Sequence, residues 1–410
     1  MSKWKTSPLA SVCTVFGDGD WIESKDQSPA GVRLVQTGNV GEGEFKDRAE
    51  KARFISQDTF TRLRCTEVFA GDCLISRLPD PVGRACLIPE TGERLITAVD
   101  CTIVRFDQSK LLPEFFAYYS QAGEYLAAVE REATGTTRKR ISRARLGHIQ
   151  VPLAPLAEQR RIVAILDEAF EGIATAKANA EKNLRNAREL FESALDAALS
   201  HHGGDFAETT LGDETDLVAG YAFPSKGYAD GANGIRLLRG DNIMQGYLRW
   251  DDAKGWPAAD VAPYARFALQ EGDVVLAMDR PWVKAGLKRA QISADDLPCL
   301  QLQRTARLRP RRRMTADFLY HLTGSKSFSR HLLSVQTGLG VPHISGKQIE
   351  SFRFALPAPN EQKTIAGTLD DLQQRSEHLE EIYQQELAAL EELKKSLLHE
   401  AFSGRRLGTQ

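Results

Sequence analysis

Two long segments of the chain carry apolar residues at alternating spacings of four and three. The segments 158–200 and 361–403 contain no proline and one glycine each, Gly172 and Gly367. This spacing places the apolar residues on one side of an α-helix, as in a coiled coil. We therefore predict two long helices that pack through these seams, although an amphipathic helix lying on its own domain would show the same pattern.

The two seams are copies of each other. The first occupies positions within 162–198 and the second the same positions within 365–401, displaced by 203. Only Ser376 and Lys394 are polar, and the first seam is rich in alanine where the second is rich in leucine. Small residues opposite large ones favour pairing of the two helices within one chain.

Connectivity predicts the direction of this pair. A globular segment must join the end of the first helix to the start of the second. In a parallel pair those two points would lie about 65 Å apart, since about 43 residues rise 1.5 Å each. In an antiparallel pair they are adjacent. We therefore predict an antiparallel coiled coil with one globular domain at each end and a pseudo-twofold axis across its middle.

The remainder of each repeat has shorter periods. Alternating runs such as GDCLISRL at Gly71 and GDVVLAM at Gly272 predict strands, and PEFFAYYSQ at Pro113 and ADFLYHLTG at Ala316 predict aromatic helices. The predicted fold class is α+β with an internal tandem repeat. The predicted order is a first globular domain at 1–155, a first long helix at 156–203, a second globular domain at 204–357 and a second long helix at 358–405.

Composition limits the classes of protein to consider. The 410 residues carry a net charge of −2, so nucleic-acid binding would depend on local patches. The six cysteines lack metal-binding spacing and are interpreted as reduced thiols. The N-terminal sequence lacks the apolar run of a signal peptide, and no stretch approaches the roughly 20 apolar residues of a membrane span. We expect a soluble, cytoplasmic protein without a metal site.

Sequence motifs of catalysis are missing. The chain has no G-x-x-x-x-G-K-[ST] loop, no G-x-G-x-x-G after a strand, no H-E-x-x-H and no G-x-S-x-G. We therefore expect no catalytic residue and no bound cofactor in this chain.

Positive charge is concentrated in the globular domains. Within 131–145 there are six basic residues against Glu132, and within 280–313 there are ten against Asp295 and Asp296. The second long helix instead carries ten acidic and four basic residues. Neutralisation of DNA phosphates would need the positive charge where these domains have it.

Two pairs of loops are candidate DNA contacts. The first pair is TGTTRKRIS from Thr134 and TGLGVPHIS from Thr337, which share their ends and differ in between, as expected for readers of two different sequences. The second pair is a predicted β-hairpin in each domain. The candidate residues are Thr136, Thr137, Arg138, Lys139, Arg140, Ser142, Thr337, His343 and Ser345 in the loops, and Arg77, Arg84, Arg280, Trp282, Lys284 and Lys288 in the hairpins.

Each candidate also has a structural interpretation. Any single basic residue could be a solvated surface charge. His343 taken alone is better explained as a hydrogen-bonded structural histidine, and Trp282 could equally belong to the core. The clusters predict DNA contact better than their individual members do.

The order of these parts resembles the specificity subunit of type I restriction-modification systems. The resemblance rests on PLAEQRRIVAILDEAF at Pro155, PAPNEQKTIAGTLDDL at Pro357, LKKSLLHEAFSGRRL at Leu393 and the TG…IS ends of both globular domains. It covers essentially the whole chain. The tail of the first helix, ALSHHGGDF, departs from the AFSGRRL form of the second, so Arg405 and Arg406 have no match in the first copy.

This resemblance implies a function without catalysis. Each globular domain would be a target recognition domain that reads one half of a bipartite site in double-stranded DNA. The helices would act as spacer and dock two methyltransferase subunits, to which restriction-translocase subunits add, and S-adenosylmethionine would belong to the methyltransferase. Two other classes stay open as less favoured interpretations: a coiled-coil adaptor that binds no DNA, and an autonomous DNA-modifying enzyme.

Overall fold

A computed structural model describes residues 4–200, 206–230, 234–251, 253–283, 286–337 and 342–403. The chain divides into two compact units. The first comprises Met1–Glu181 and Gln385–Gln410, and the second comprises Lys182–Gln384. Each unit therefore contains one globular domain together with about half of each long helix.

The first globular domain alternates short strands with short helices. Its strands are β1 Lys5–Pro8, β2 Cys13–Asp18, β3 Gln27–Ser28, β4 Val32–Val35, β5 Arg53–Ile55, β6 Cys73–Ser76, β7 Ala85–Leu87, β8 Leu95–Thr97, β9 Cys101–Phe106 and β10 Gln150–Leu153. Its helices are α1 Gln57–Leu63, α2 Pro113–Tyr119, α3 Gly123–Glu132 and α4 Arg143–His148, after which the long helix α5 extends over Leu156–Ser200.

The second globular domain repeats this order. Its strands are β11 Ala207–Thr210, β12 Thr215–Ala219, β13 Ala229–Asp230, β14 Ile235–Leu238, β15 Lys254–Trp256, β16 Val274–Ala277, β17 Trp282–Val283, β18 Gly286–Leu287, β19 Arg289–Gln291, β20 Cys299–Gln301, β21 Thr305–Pro310 and β22 Arg353–Leu356. Its helices are α6 Leu211–Glu214, α7 Ala316–Gly324, α8 Lys326–Val335 and α9 Gly346–Glu350, and the long helix α10 follows over Pro359–Phe402.

Sheet order confirms that the two domains share one fold. The first domain has sheets ordered β2-β9-β6-β7 and β3-β5-β4-β8, and the second has β12-β21-β16-β19 and β13-β15-β14-β20. A two-stranded ribbon, β1 with β10 or β11 with β22, joins the start of each domain to its last strand. This ribbon leads directly into the long helix. The predicted α+β class and duplication are therefore confirmed.

The long helices pair in opposite directions within each unit. In the first unit, Lys177 Nζ lies 2.5 Å from Glu391 Oε1, and Lys394 Nζ lies 5.0 Å from the ring centre of Phe170. In the second, Arg188 Nε lies 2.7 Å from Glu380 Oε2. Ser376, the other polar seam residue, is buried and donates a hydrogen bond of 2.8 Å to the Ala187 carbonyl. Leu199 near the end of α5 and Ile365 near the start of α10 both pack against the core of the second domain, so the predicted antiparallel pairing is confirmed in both units.

The end of α10 completes the core of the first domain. Phe402 lies with its ring centre 5.2 Å from those of both Phe115 and Tyr119. Leu166 of α5 is fully buried in the same cluster. In the second unit, Leu199 near the end of α5 packs against the core of the second domain. Each globular domain thus uses both long helices of its unit.

Candidate nucleic-acid interface

The loop at 134–140 of the first domain is closed by a pair of backbone hydrogen bonds. Thr134 and Arg140 exchange N–H···O bonds of 2.8 Å in both directions. Gly135 has φ +111°, and a Cβ there would lie 2.5 Å from the Arg138 carbonyl oxygen, so the turn requires glycine. We call residues 134–140 the first loop.

Thr136, Thr137 and Arg138 occupy the tip of the first loop, and all three are exposed. Within the described part of the chain, their side chains have no hydrogen-bond or ion-pair partner. Lys139 forms an ion pair with Glu130, and Arg140 Nη2 lies 2.9 Å from Asp100 Oδ1.

The second domain builds the same closure with different side chains. Thr337 and His343 exchange backbone hydrogen bonds of 3.0 and 2.9 Å. Residues 338–341 between them lie outside the described residues. His343 takes the place of Arg140, and its Nδ1 lies 2.5 Å from Asp279 Oδ1. His343 is therefore hydrogen-bonded and still partly exposed, with 43% of its side chain accessible.

The serine that follows each loop caps a helix. Ser142 Oγ accepts a hydrogen bond of 3.3 Å from the Arg145 N–H at the start of α4, and Ser345 Oγ accepts one of 3.4 Å from the Gln348 N–H in α9. Such caps satisfy backbone donors that the helix leaves free. The recurrent serine is thus explained locally by capping, which leaves its contact with DNA a prediction.

The predicted hairpins are present, but several of their basic side chains are buried and not exposed at the surface. Strands β6 and β7 pair antiparallel, as do β16 and β19. Arg77 is 4% exposed, its Nη2 lies 3.2 Å from Asp18 Oδ1, and it donates to the Val99 carbonyl. Burial lowers the pKa of Arg77. Its predicted DNA contact is corrected, because the guanidinium points inward and is engaged there.

Arg84 is also a structural residue. It is 8% exposed, and its three nitrogens donate to four carbonyl oxygens at 2.7 to 3.0 Å. The acceptors are Thr37, Val40, Leu78 and Pro81. Arg84 therefore ties the hairpin to the turn before β5. Its predicted DNA contact is corrected for the same reason as that of Arg77.

The second hairpin divides its candidates between surface and core. Arg280 is exposed with φ 45°, and its N–H donates to the Pro342 carbonyl at 3.0 Å. Trp282 packs against the domain core and donates from Nε1 to Gln336 Oε1 at 3.0 Å, which favours the core interpretation. Lys288 is 8% exposed and burial lowers its pKa, so its predicted DNA contact is corrected. Lys284 lies outside the described residues.

A buried glutamine joins each globular domain to its long helix. Gln159 Oε1 accepts the Leu112 N–H at 2.8 Å, and its Nε2 donates to the Lys110 and Ala154 carbonyls, both at 2.8 Å. These bonds link the segment before α2 to the first turn of α5. We call this arrangement the glutamine clamp.

The second domain repeats the glutamine clamp atom for atom. Gln362 Oε1 accepts the Thr315 N–H at 2.8 Å, and its Nε2 donates to the Arg313 and Pro357 carbonyls at 2.7 and 2.8 Å. Both glutamines are fully buried. The glutamine of the duplicated Glu-Gln pair, Gln159 in the first copy and Gln362 in the second, therefore fixes each domain on its helix.

A model of the type I restriction modification DNA specificity domain matches residues 1–184 and 265–389. The chain belongs to this specificity family. The type I restriction enzyme EcoAI specificity subunit of Escherichia coli is 35% identical over 172 residues, which span 42% of this chain and 29% of that relative. The MjaVIII specificity subunit of Methanocaldococcus jannaschii is 23% identical over 317 residues, 74% of this chain and 73% of the relative.

Solved structures share the fold of this specificity-family chain. A chain from a structural study of the assembly and conformational transition of the type I R-M system aligns with a TM-score of 0.77 and 19% identity over 97% of both chains. The HsdS subunit from Thermoanaerobacter tengcongensis aligns with a TM-score of 0.61 and 20% identity over 98% of this chain and 97% of its own.

Within the described ranges, no group of three or more His, Cys, Asp or Glu side chains is arranged to hold a metal ion. No described helix has the length and apolar composition that a membrane span requires.

Proposed function

We propose that each globular domain reads one half of a bipartite DNA site on behalf of a type I restriction-modification complex. The observation that carries this proposal is the pair of equivalent loops, which share a closure and differ in their exposed side chains. Arg140 in one domain corresponds to His343 in the other. A common scaffold with different surface chemistry suits two readers of different sequences.

The first loop supplies the donors that we assign to the first half-site. Thr136, Thr137 and Arg138 can donate to base edges or phosphates without breaking a described contact. The ion pairs of Lys139 and Arg140 are exposed, and such pairs contribute only about 0 to 1 kcal/mol. DNA can therefore compete for both residues.

Substitution in the first loop tests this assignment. Arg138→Ala together with Lys139→Ala should weaken recognition of one half-site only, by roughly 1 to 3 kcal/mol per lost base contact. The measurement is enrichment of bound duplexes from a random pool, followed by sequencing. Arg160→Ala, an exposed arginine on α5, is the control and should leave both half-sites unchanged. Equal loss at both half-sites would contradict the assignment.

We further propose that the long helices dock methyltransferase subunits, two of them in the complete complex, and that restriction-translocase subunits add to these. Large apolar side chains remain exposed on the helices, including Leu190 at 57%, Ile382 at 43% and Leu393 at 47%. A partner that covers them would remove apolar surface from water. Methyl transfer and S-adenosylmethionine would belong to that partner, so this chain acts without catalysis.

Ile382→Glu with Leu393→Glu tests the docking. Both positions are exposed, so the variant should fold normally while its co-purification with the methyltransferase falls. Glu377→Gln and Glu392→Gln, which change charge on exposed positions of the same helix, are the controls. If the variant with glutamate at both positions still recovers as much methyltransferase as the wild type, these two side chains lie outside the interface.

A further inference from the structure

A cavity of about 230 Å³ in the first domain is lined by three basic side chains. Its wall is the turn 36–39 between β4 and β5, and the basic residues are Arg48, Lys51 and Arg53. We call it the cation cavity. None of its lining residues belongs to the first loop or to the hairpin.

The three cations are not held in ion pairs. Across the residues that the structure describes, the side chains of Arg48, Lys51 and Arg53 form no hydrogen bond and no ion pair. The adjacent carboxylate of Asp47 is engaged by Arg33, which also pairs with Glu93 at 2.6 Å. Like charges gathered around a cavity repel one another, and an anion in the cavity would relieve that repulsion.

The backbone holds Arg48 at the cavity in a strained conformation. Asn39 Nδ2 donates to the carbonyls of Lys46 and Asp47 at 2.8 and 3.0 Å, which fixes the chain just before it. Arg48 then adopts φ 50°, a left-handed conformation that costs an L-residue roughly 1–2 kcal/mol. A Cβ on Gly38 would lie 2.6 Å from Arg48 Nη1, so the guanidinium packs directly over that glycine.

Hydrogen bonds connect this cavity to the loops assigned to DNA. The Thr37 carbonyl, in the cavity wall, accepts from Arg84 Nη2 at 2.8 Å. Arg77 belongs to the same hairpin as Arg84. Its carbonyl accepts a hydrogen bond of 3.2 Å from the N–H of Ile141, the residue that follows the first loop. The wall, the hairpin and the first loop therefore form one connected region of the domain.

We propose that the cation cavity binds one backbone phosphate of the DNA beside the first half-site. The inference rests on the proposed function, since it assumes that this domain contacts DNA. Arginine and lysine around a concave site match the charge and the acceptor oxygens of a phosphodiester. The contact fixes the position of the duplex and carries no base preference.

The second domain lacks the central cation at this place. Asn242 Nδ2 donates to the Arg249 carbonyl at 2.9 Å, as Asn39 does to Lys46, which aligns the two turns. Asp251 then stands where Arg48 does, so an acid replaces the arginine. The phosphate contact is thus assigned to the first half-site alone.

The test uses the full chain in complex with its methyltransferase and a duplex that contains the bipartite site. Arg48→Gln with Lys51→Gln should weaken binding about 10-fold near physiological salt and reduce the slope of log K against log salt by about 0.9, the value for one phosphate. Half-site preference should not change. Arg64→Gln is the matched control, because Arg64 is exposed with φ 53° but lies outside the cavity.

A scan with single methylphosphonates, which are uncharged, identifies the phosphate. One position beside the first half-site should weaken the wild-type complex and have no effect on the Arg48 and Lys51 variant. A flat scan with sequence-specific binding intact overturns the phosphate site alone, whereas loss of sequence-specific binding by the wild type overturns the proposed function. Thermal protection of the free chain by inorganic phosphate, together with a flat scan, would identify a free-anion site and overturn the DNA assignment.

Discussion

The two globular domains agree inside and differ at the surface. Asn39 and Asn242 each accept the backbone N–H three residues before them and donate to the carbonyl seven residues after them. The glutamines of the two clamps also make the same hydrogen bonds in both copies. The exposed positions show the opposite behaviour, with Arg140 replaced by His343. Residues that are identical in the two repeats therefore stabilise the common fold. Residues that differ at equivalent exposed positions are the candidates for recognition of DNA.

One hydrogen-bonded pair of side chains differs in residue type between the two domains but keeps its position. Tyr118 of α2 donates to Asp167 Oδ1 of α5 at 2.5 Å, and at the same place His321 Nε2 lies 2.8 Å from Asp370 Oδ1 of α10. Both pairs connect a domain helix to its long helix. The geometry is shared, but only the histidine changes charge near neutral pH.

The largest expected effect on stability comes from buried leucines at equivalent positions of the two long helices. Leu166→Asp and Leu369→Asp place a charge at equivalent positions that are at most 2% exposed. Each should destabilise the chain by roughly 3–5 kcal/mol, because the lost packing adds to the cost of a buried unpaired charge. The midpoint of urea denaturation measures this. Leu190→Asp, at an exposed position of α5, should leave the midpoint nearly unchanged; a large shift there would mean that burial does not explain the effect.

Removal of a buried hairpin cation should change stability differently in the two domains. Arg84→Met removes the donors for four carbonyls and should cost roughly 3 kcal/mol or more. Lys288→Met at the equivalent place should be neutral or stabilising, since burial lowers the pKa of Lys288 and so disfavours its charged form. Differential scanning calorimetry of both variants makes the comparison. Equal destabilisation would show that Lys288 has taken over the role of Arg84.

The glutamine clamps should act alike in both copies. Gln159→Leu or Gln362→Leu leaves three backbone groups without a partner and should cost roughly 2–4 kcal/mol in total. Each domain would also be less firmly held on its helix. We expect sequencing of bound duplexes to show unchanged half-sites with a wider range of gaps between them. Gln374→Leu, on the exposed face of α10, is the control. A gap as narrow as that of the wild type would contradict a positioning role.

The smallest expected effect is a pH dependence confined to the second unit. Burial lowers the pKa of His321, partly offset by Asp370, and its Nδ1 has no hydrogen-bond partner among the described residues. The unfolded chain then binds a proton more readily than the folded one below about pH 6.5. Stability should be complete above that pH and fall as the pH decreases through the folded pKa.

His321→Tyr, which copies the first domain, should flatten this part of the stability profile. The measurement is urea denaturation between pH 5 and 8. His378→Gln removes an exposed histidine of α10 and should keep the wild-type profile. A profile that His321→Tyr leaves unaltered would assign the pH dependence to other groups.

Much of the architecture could be predicted from periodicity and repetition. The spacing of apolar residues predicted both long helices, and connectivity predicted their antiparallel pairing. Ser376 and Lys394 broke the pattern, and each has a specific contact in the structure. Such features depend on neighbours along the helix, so one sequence is enough to find them.

The candidate site was harder to predict, because the direction of a loop side chain depends on distant parts of the chain. Arg84 and Arg138 both lie in glycine-containing turns. Carbonyls of its own hairpin and of the turn before β5 bind Arg84, whereas no described residue binds the side chain of Arg138. The sequence alone does not predict the cation cavity, because Asp47 and Glu50 alternate with the basic residues in KDRAEKAR. Only the structure shows that Asp47 pairs with Arg33 and not with Arg48.

The packing of Phe402 against Phe115 has a consequence for biosynthesis. The first domain emerges from the ribosome early, but Leu398, Ala401 and Phe402 of its core are translated roughly 240 residues after Leu166. At about 5–20 residues per second, this delay is roughly 10 to 50 seconds. Throughout it Phe115 lacks its contact with Phe402, so the core of the first domain can be completed only after the end of α10 has been translated.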